Sequence, residues 1–310
     1  MKKTTFGIVA LFVMLFAAIA VSAVEPTNPA EQPSMITIAA AELPGAKLPT
    51  DDQMTAISKR IENPVNKIST LPFTYQVFTG NGLNSDGSEG NQLQNQLYLK
   101  PVLPFLINKD WMFISRTVIP ISISTPNYTN QGVGASSGYT SGIGNITLSG
   151  FLTPRDQDSK LLWGIGPVVS APTATNLSTG NFDWGLGPTV MAVYRSGPWV
   201  VGSIINNVWS VGSTNSTENK LDWQFFAHYN LSNGWAISTA PEIFANWTAT
   251  TSDNRYTLPL GLGVSKTFKI GEQICNAGIQ QYYYALHPDN GPQYMTQVSF
   301  SLVFPDYSSK

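Results

Sequence analysis

The sequence predicts an all-β fold: a transmembrane, antiparallel, up-and-down β-barrel of about twelve strands with a short N-terminal helical segment. Three observations lead to this prediction. Charged residues make up only 12% of the 310-residue chain, and its mean hydropathy is close to zero at -0.03. Apolar and polar residues alternate over segments of about ten to fourteen residues, enough for a tilted strand to cross a bilayer. Longer and shorter connections alternate between these segments, as extracellular loops and periplasmic turns do.

The first residues are typical of an export signal. Lys2 and Lys3 precede an apolar run from Phe6 to Val21, and Val21-Ser22-Ala23 supplies small residues for cleavage. Residues 1–23 are therefore predicted to be a signal peptide, which places the mature protein in the outer membrane of a Gram-negative cell. The single cysteine, Cys275, excludes an intramolecular disulfide.

Residues 24–71 are predicted to form a periplasmic lead-in with a short helix. Asp51 and Asp52 suit a helix start, and Met54, Ile57 and Ile61 recur at helical spacing. Asn63-Pro64 should break or kink the helix. This segment either plugs the lumen or lies beneath the barrel, and the sequence leaves both interpretations open.

Residues 72–310 are predicted to form the transmembrane barrel. Tryptophans lie near the ends of the strand-like segments, which predicts two aromatic girdles at the membrane interfaces. Trp111, Trp163, Trp199 and Trp235 fall on the periplasmic side, and Trp184, Trp223, Trp247 and Tyr256 fall on the opposite side. The twelve segments start near Phe73, Leu93, Trp111, Ile143, Leu161, Trp184, Trp199, Leu221, Trp235, Tyr256, Ile274 and Tyr294.

One short motif occurs twice: W-G-I-G-P from Trp163 and W-G-L-G-P from Trp184. If the tryptophans and prolines face lipid, the glycines face the lumen. Proline lacks the N–H that a closed ladder expects, and glycine in a strand marks a bulge or close approach. A lumen glycine patch with local distortion is therefore predicted at Gly164, Gly166, Gly185 and Gly187.

Four charged residues have inward parity near the middle of their strands. Lys100 and Arg116 belong to the second and third strands, and Asp222 and Glu242 to the eighth and ninth. Opposite walls of basic and acidic groups would create a transverse field. Alternatively, these groups pair with loops, the helix or one another. The net charge of -2 indicates no nucleic-acid partner.

No catalytic residue, metal site or cofactor is predicted. His228 has inward parity and His287 lies in a loop, but a Ser-His-acid arrangement cannot be read from the sequence. Paired His or Cys spacing typical of metal sites is missing from the sequence, and neither W-G-x-G-P nor the G-L-G-V-S-K-T stretch from Gly261 fits a phosphate-binding motif. Cys275 has lipid-facing parity. Phe226, Phe244 and Tyr283 are assigned to the lumen.

The repeated motif also carries a resemblance. The stretches LLWGIGPVVSAPTAT, DWGLGPTVMAVYRSGPWVVGSIINNVWS, KPVLPFLINKDWMFISRTVIPI and ISKRIENPVNKISTLPF resemble a bacterial outer-membrane transporter family labelled as meta-pathway phenol-degradation proteins, often misnamed neuromedin U. The resemblance covers about residues 55–305 and departs at Asn145, where an acidic residue is expected. It implies a barrel with a transport role and no defined catalytic or ligand residues.

The predicted function is a channel for passive uptake of small solutes, with outer-membrane lipids as surroundings. The preference for hydrophobic or aromatic solutes is implied by the resemblance alone. Two alternatives stay open: a barrel-embedded lipid hydrolase, with a serine near His228 or His287, and a structural or adhesive barrel. The substrate, the gating and the oligomeric state do not follow from the sequence.

Overall fold

The computed structural model describes residues 51–62, 67–83, 89–126, 138–156, 158–212, 218–289 and 291–304. Nearly all of them belong to one antiparallel sheet that closes on itself. The predicted signal peptide, the lead-in before Asp51 and the Asn63-Pro64 break lie outside the described residues. Among the described helices, none is long and apolar enough to cross a membrane.

The helix and the strand segments have the following bounds. Helix α1 spans Asp51–Ile61, and a short 3-10 turn spans Ser232–Gly234. The strand segments are β1 Ser69–Leu83, β2 Glu89–Leu99, β3 Val102–Leu106, β4 Trp111–Pro126, β5 Tyr139–Ile143, β6 Ile146–Pro154, β7 Leu161–Ala171, β8 Trp184–Ser196, β9 Trp199–Val211, β10 Asn219–Asn230, β11 Trp235–Thr239, β12 Glu242–Asn246, β13 Tyr256–Ile270, β14 Gln273–Leu286 and β15 Tyr294–Phe304.

These segments make twelve barrel strands, as predicted. β2 with β3, β5 with β6, and β11 with β12 each continue along the same neighbouring strand, so each pair is one interrupted barrel strand. The barrel closes where β1 pairs with β15, Phe73 lying opposite Phe300. Closure removes free sheet edges, whose backbone N–H and C=O groups would have no hydrogen-bond partners in a bilayer.

The barrel has two distinct ends. At the turn end, short connections join the strands. The first strand, β1, begins there, and the last strand, β15, ends there. Longer connections, such as residues 172–183, lie at the loop end. Aromatic rings pack at both: Trp111 on Trp163 (6.1 Å) and Trp199 on Tyr229 (4.8 Å) at the turn end, and Trp247 on Tyr256 (6.3 Å) at the loop end.

The repeated W-G-x-G-P motif marks a double interruption of the ladder. Pro167 of β7 lies directly opposite Pro188 of β8. Next to these prolines, β7 loses its regular pairing with β6, and β8 loses its regular pairing with β9. A Cβ on Gly166 would lie 1.9 Å from the Gly150 carbonyl oxygen, and one on Gly187 would lie 1.6 Å from that of Asn207. Glycine is required because the backbones approach too closely for any side chain.

Candidate functional site

The four glycines do not form an open patch on the lumen. Cβ atoms at Gly166 and Gly187 would meet neighbouring backbone carbonyls, whereas one at Gly164 would meet the Phe151 side chain at 3.1 Å. A Cβ on Gly185 would meet Val208 at 2.4 Å. Close backbones and neighbouring side chains therefore occupy the space beside these glycines. The predicted distortion at the prolines is present.

Much of the lumen along β4 to β9 is filled with apolar side chains. Residues of this cluster have little or no solvent exposure, which is unusual for a water-filled pore because lumen-facing side chains of such pores are polar. The cluster extends from β3 to β10. Its members are Val102, Met112, Ile114, Phe151, Leu162, Met191, Val193, Val200, Ile204 and Phe226.

Two side-chain contacts cross the lumen at mid-depth. Lys100 Nζ lies 2.6 Å from Glu242 Oε1, and Arg116 Nη2 donates to Gln224 Oε1 at 3.0 Å. Gln224 and Glu242 are register partners on β10 and the neighbouring strand, so the two contacts run side by side. We call these four side chains the lumen bridge.

The lumen bridge changes the predicted charge pattern. Basic and acidic groups on opposite walls were expected to face each other across a pore, but Lys100 and Glu242 meet and neutralise each other. The alternative of mutual pairing describes them better. Asp222 stands next along β10, opposite Phe244, and its Oδ1 is buried without a hydrogen-bond donor in the described part of the chain.

A cavity of about 240 Å³ lies between the lumen bridge and the turn end. One wall is apolar, formed by Val102, Ile204, Phe226 and Ala240. The facing wall carries hydroxyl and amide groups from β11 and from β13 to β15. We call this space the chamber; its polar lining includes Ser238, Ser265, Asn276, Gln280, Gln297, Ser299 and Ser301.

Helix α1 lies at the turn-end mouth of the chamber. Met54 and Ser58 on one face of the helix are buried. Thr55 Oγ1 donates to the Leu231 carbonyl at 3.1 Å and accepts from the Gly234 N–H at 3.4 Å. Ile61 and Glu62, at the end of the helix, line the chamber itself. Helix α1 thus contacts the turn at Ser232–Gly234 and brings its C-terminal end to the chamber.

Polar side chains also span the wall near β13. Gly261 and Gly263 carry no side chain, so Gln280 and Tyr282 of β14 reach over them. Gln280 Nε2 donates to Ser238 Oγ at 2.9 Å, and Tyr282 Oη accepts from the Ala240 N–H at 2.8 Å. Ladder pairing between β11–β12 and β13 is interrupted beside Ala240 and Pro241. The tyrosine therefore satisfies a backbone donor that the ladder does not.

His228 faces the chamber. Its Nδ1 has no hydrogen-bond partner in the described residues and lies 3.7 Å from Glu62 Oε1. In the described part of the chain no cluster of three metal-ligating side chains occurs. Cys275 is buried among its neighbours.

Several residues were misplaced or missed by sequence reasoning. Tyr283, assigned to the lumen, is 52% exposed and packs against Tyr294 on the outer surface. Strand parity could have identified Gln280 and Tyr282 as inward-facing. Glu62 could not be identified, because its contact with Asn230 joins residues 168 positions apart.

Comparison with known proteins supports the fold. No family model and no curated protein matches the chain. Among solved structures, an outer membrane channel from Pseudomonas putida F1 shares 18% identity over 76% of this chain and 95% of its own, with a TM-score of 0.58. A FadL homologue from Pseudomonas aeruginosa (10% identity, 85% and 96% covered, TM-score 0.38) and phospholipase A from Escherichia coli (11%, 77% and 97%, 0.39) are too distant to guide interpretation. The first likeness shows a shared barrel fold.

Proposed function

We propose that the protein is an outer-membrane channel for the passive uptake of small hydrophobic or aromatic solutes, exported by residues 1–23 and closed by α1 in its resting state. The observation that carries the proposal is the chamber. Its apolar wall suits a hydrocarbon or ring, whereas its hydroxyl and amide wall can bind one polar group or water. Such a two-sided surface is typical of sites that bind amphipathic small molecules.

The outer surface supports the membrane setting. Outward side chains of the strands are large and apolar, including Ile165, Leu186 and Leu262, each about half exposed or more. Exposed apolar surface of this extent is stable when lipid rather than water covers it. The sorting of tryptophan and tyrosine to the two ends fits the interfaces of a bilayer.

The proposal predicts a narrow, mostly closed pathway for ions. We expect the refolded mature protein to show small or infrequent current steps in a planar bilayer, because the lumen bridge and α1 obstruct the lumen. Deleting residues 51–62 should raise the conductance, since it removes the helix and leaves β1 intact. Unchanged conductance in a folded deletion variant would contradict closure by α1.

Uptake itself is tested in vesicles. Proteoliposomes should accumulate a small aromatic solute faster than vesicles with Phe226→Ser, which makes the apolar wall polar. The matched control is Phe182→Ser, an exposed aromatic in a loop. Equal uptake by all three preparations would favour the structural barrel, whereas release of fatty acid from phospholipid would favour the hydrolase.

A further inference from the structure

The polar contacts at the C-terminal end of α1 converge on one carboxyl group. Asn230 Nδ2 donates to Glu62 Oε2 at 2.8 Å, and Ser58 Oγ donates to Glu62 Oε1 at 3.2 Å. His228 Nδ1 lies 3.7 Å from the same Oε1. The side chains of Glu62 and His228 are only 5% and 16% exposed. We call these four residues the latch; it places a carboxyl and an imidazole face to face in the mouth of the chamber.

Few other charges act on the latch. Lys59 is the neighbouring cation on α1 itself. The inward positions of β11 and β13 beside the helix are the uncharged Ala236, Ser265 and Thr267, while Lys266 lies on the outer face over the Trp235 ring. Lys100, Arg116 and Glu242 stand at the other end of the chamber. Arg60 is a second cation in the last turn of α1. His228 is the titratable group that the barrel wall places against Glu62.

Burial makes the ionised form of Glu62 costly. It raises the pKa of this carboxyl to about 7, and the hydrogen bonds from Asn230 and Ser58 and the charge of Lys59 oppose the rise only in part. A solvated glutamate titrates near 4.5. Between about pH 4.5 and pH 7, docking of α1 therefore requires a proton on Glu62 that the undocked segment does not carry.

We propose that His228 supplies this proton. With α1 undocked, the imidazole faces a wet lumen and is protonated in mild acid. As the helix docks, the N–H bond of the imidazolium breaks, the carboxylate oxygen of Glu62 gains the proton, and both groups enter the contact uncharged. No proton is taken from bulk water, so the latch closes with nearly equal strength across a wide pH range.

The pH dependence follows from proton linkage. With α1 undocked, the last proton leaves an ordinary imidazole near pH 6.5. When docked, the pair loses its last proton near pH 7, the pKa of Glu62. The docking constant should fall only about threefold from pH 5 to pH 8. In His228→Gln, Glu62 is the group of the pair that still titrates, and with α1 undocked its pKa is the ordinary 4.5. The docking constant should therefore fall about 50- to 100-fold as the pH rises through 7.

Thiol accessibility in the full mature protein measures docking directly. Met54 is 6% exposed on the docked face, so Met54→Cys in a Cys275→Ser background should react with a maleimide only when α1 undocks. Ala56→Cys on the exposed face supplies the intrinsic rate at each pH. We expect the ratio of the two rates to change about threefold between pH 5 and 8 with His228 present and at least 30-fold in His228→Gln.

A second variant separates the linkage from a packing defect. Adding Glu62→Gln to His228→Gln removes the titrating group and keeps an acceptor for Asn230, so the rate ratio should become flat with pH. A flat ratio in His228→Gln alone, or a change with His228 present as large as that in His228→Gln, overturns the proposal. The readout does not depend on current or solute uptake, so a failed channel assay leaves this test unaffected.

Discussion

Removing both charged partners of the lumen bridge should destabilise the barrel by less than the sum of the two single removals. Two unit charges 2.6 Å apart attract by about 6 kcal/mol at an effective dielectric constant near 20, but desolvation offsets much of this gain. Glu242→Gln leaves Lys100 enclosed without its anion, at a cost of about 2–4 kcal/mol. The low end applies because the two side chains keep 12% and 23% exposure to water.

The assay is urea unfolding of the refolded protein in lipid vesicles, followed by tryptophan fluorescence. Lys100→Met, Glu242→Gln and the double variant form a thermodynamic cycle, in which the double should cost about 2 kcal/mol less than the two singles together. The exposed pair Lys109→Met and Glu272→Gln provides the control and should stay within about 0.5 kcal/mol of the original protein. Additive single effects would refute a bridge that holds the barrel walls together.

The same variants should also change ion selectivity in opposite directions. Glu242→Gln leaves excess positive charge at the lumen bridge, so the reversal potential in a salt gradient should move toward that of the anion. Lys100→Met should move it toward that of the cation. Shifts of the same sign would mean that ions do not pass the lumen bridge.

Three further predictions concern packing and closure. Gly187→Ala should lower the free energy of unfolding by about 3 kcal/mol or prevent refolding, because its Cβ would overlap the Asn207 carbonyl. Gly164→Ala should lower it less, and urea unfolding compares the two variants. Tyr282→Phe should cost about 1–3 kcal/mol, since it leaves the Ala240 N–H without its acceptor, and Tyr283→Phe on the outer face should have little effect by the same method. Asn230→Ala should raise the channel's open probability in planar bilayers, because Glu62 loses its strongest hydrogen bond and α1 undocks more often. An unaltered open probability would show that the latch does not hold the helix in place.

The strands and their number followed from local patterns. Alternation along β15 already separates Tyr294, Val298 and Phe300 from the inward Gln297 and Ser299, because side chains of a strand point alternately to its two faces. The W-G-x-G-P motif likewise predicted a disturbed ladder. It did not predict what occupies the space beside the glycines, since Phe151 and the Asn207 carbonyl come from other strands.

The lumen charges show the limit of such reasoning. Parity placed Lys100 and Glu242 inside, but their contact depends on how far apart the two walls stand, and that distance depends on the packing of side chains such as Phe151, Met191 and Phe226. An open round barrel and a filled, narrowed one have the same alternation of residues.

The sequence by itself determined the elements: twelve strands, a helix ahead of them and, for most strand residues, the side of the barrel to which the side chain points. These features depend on neighbours within a few positions, through backbone geometry and the period of two. Only the tertiary structure decided which inward groups meet, including Lys100 with Glu242 and Glu62 with Asn230 and His228. Those contacts join residues more than 140 positions apart, so they arise from barrel closure and side-chain packing rather than from any local pattern.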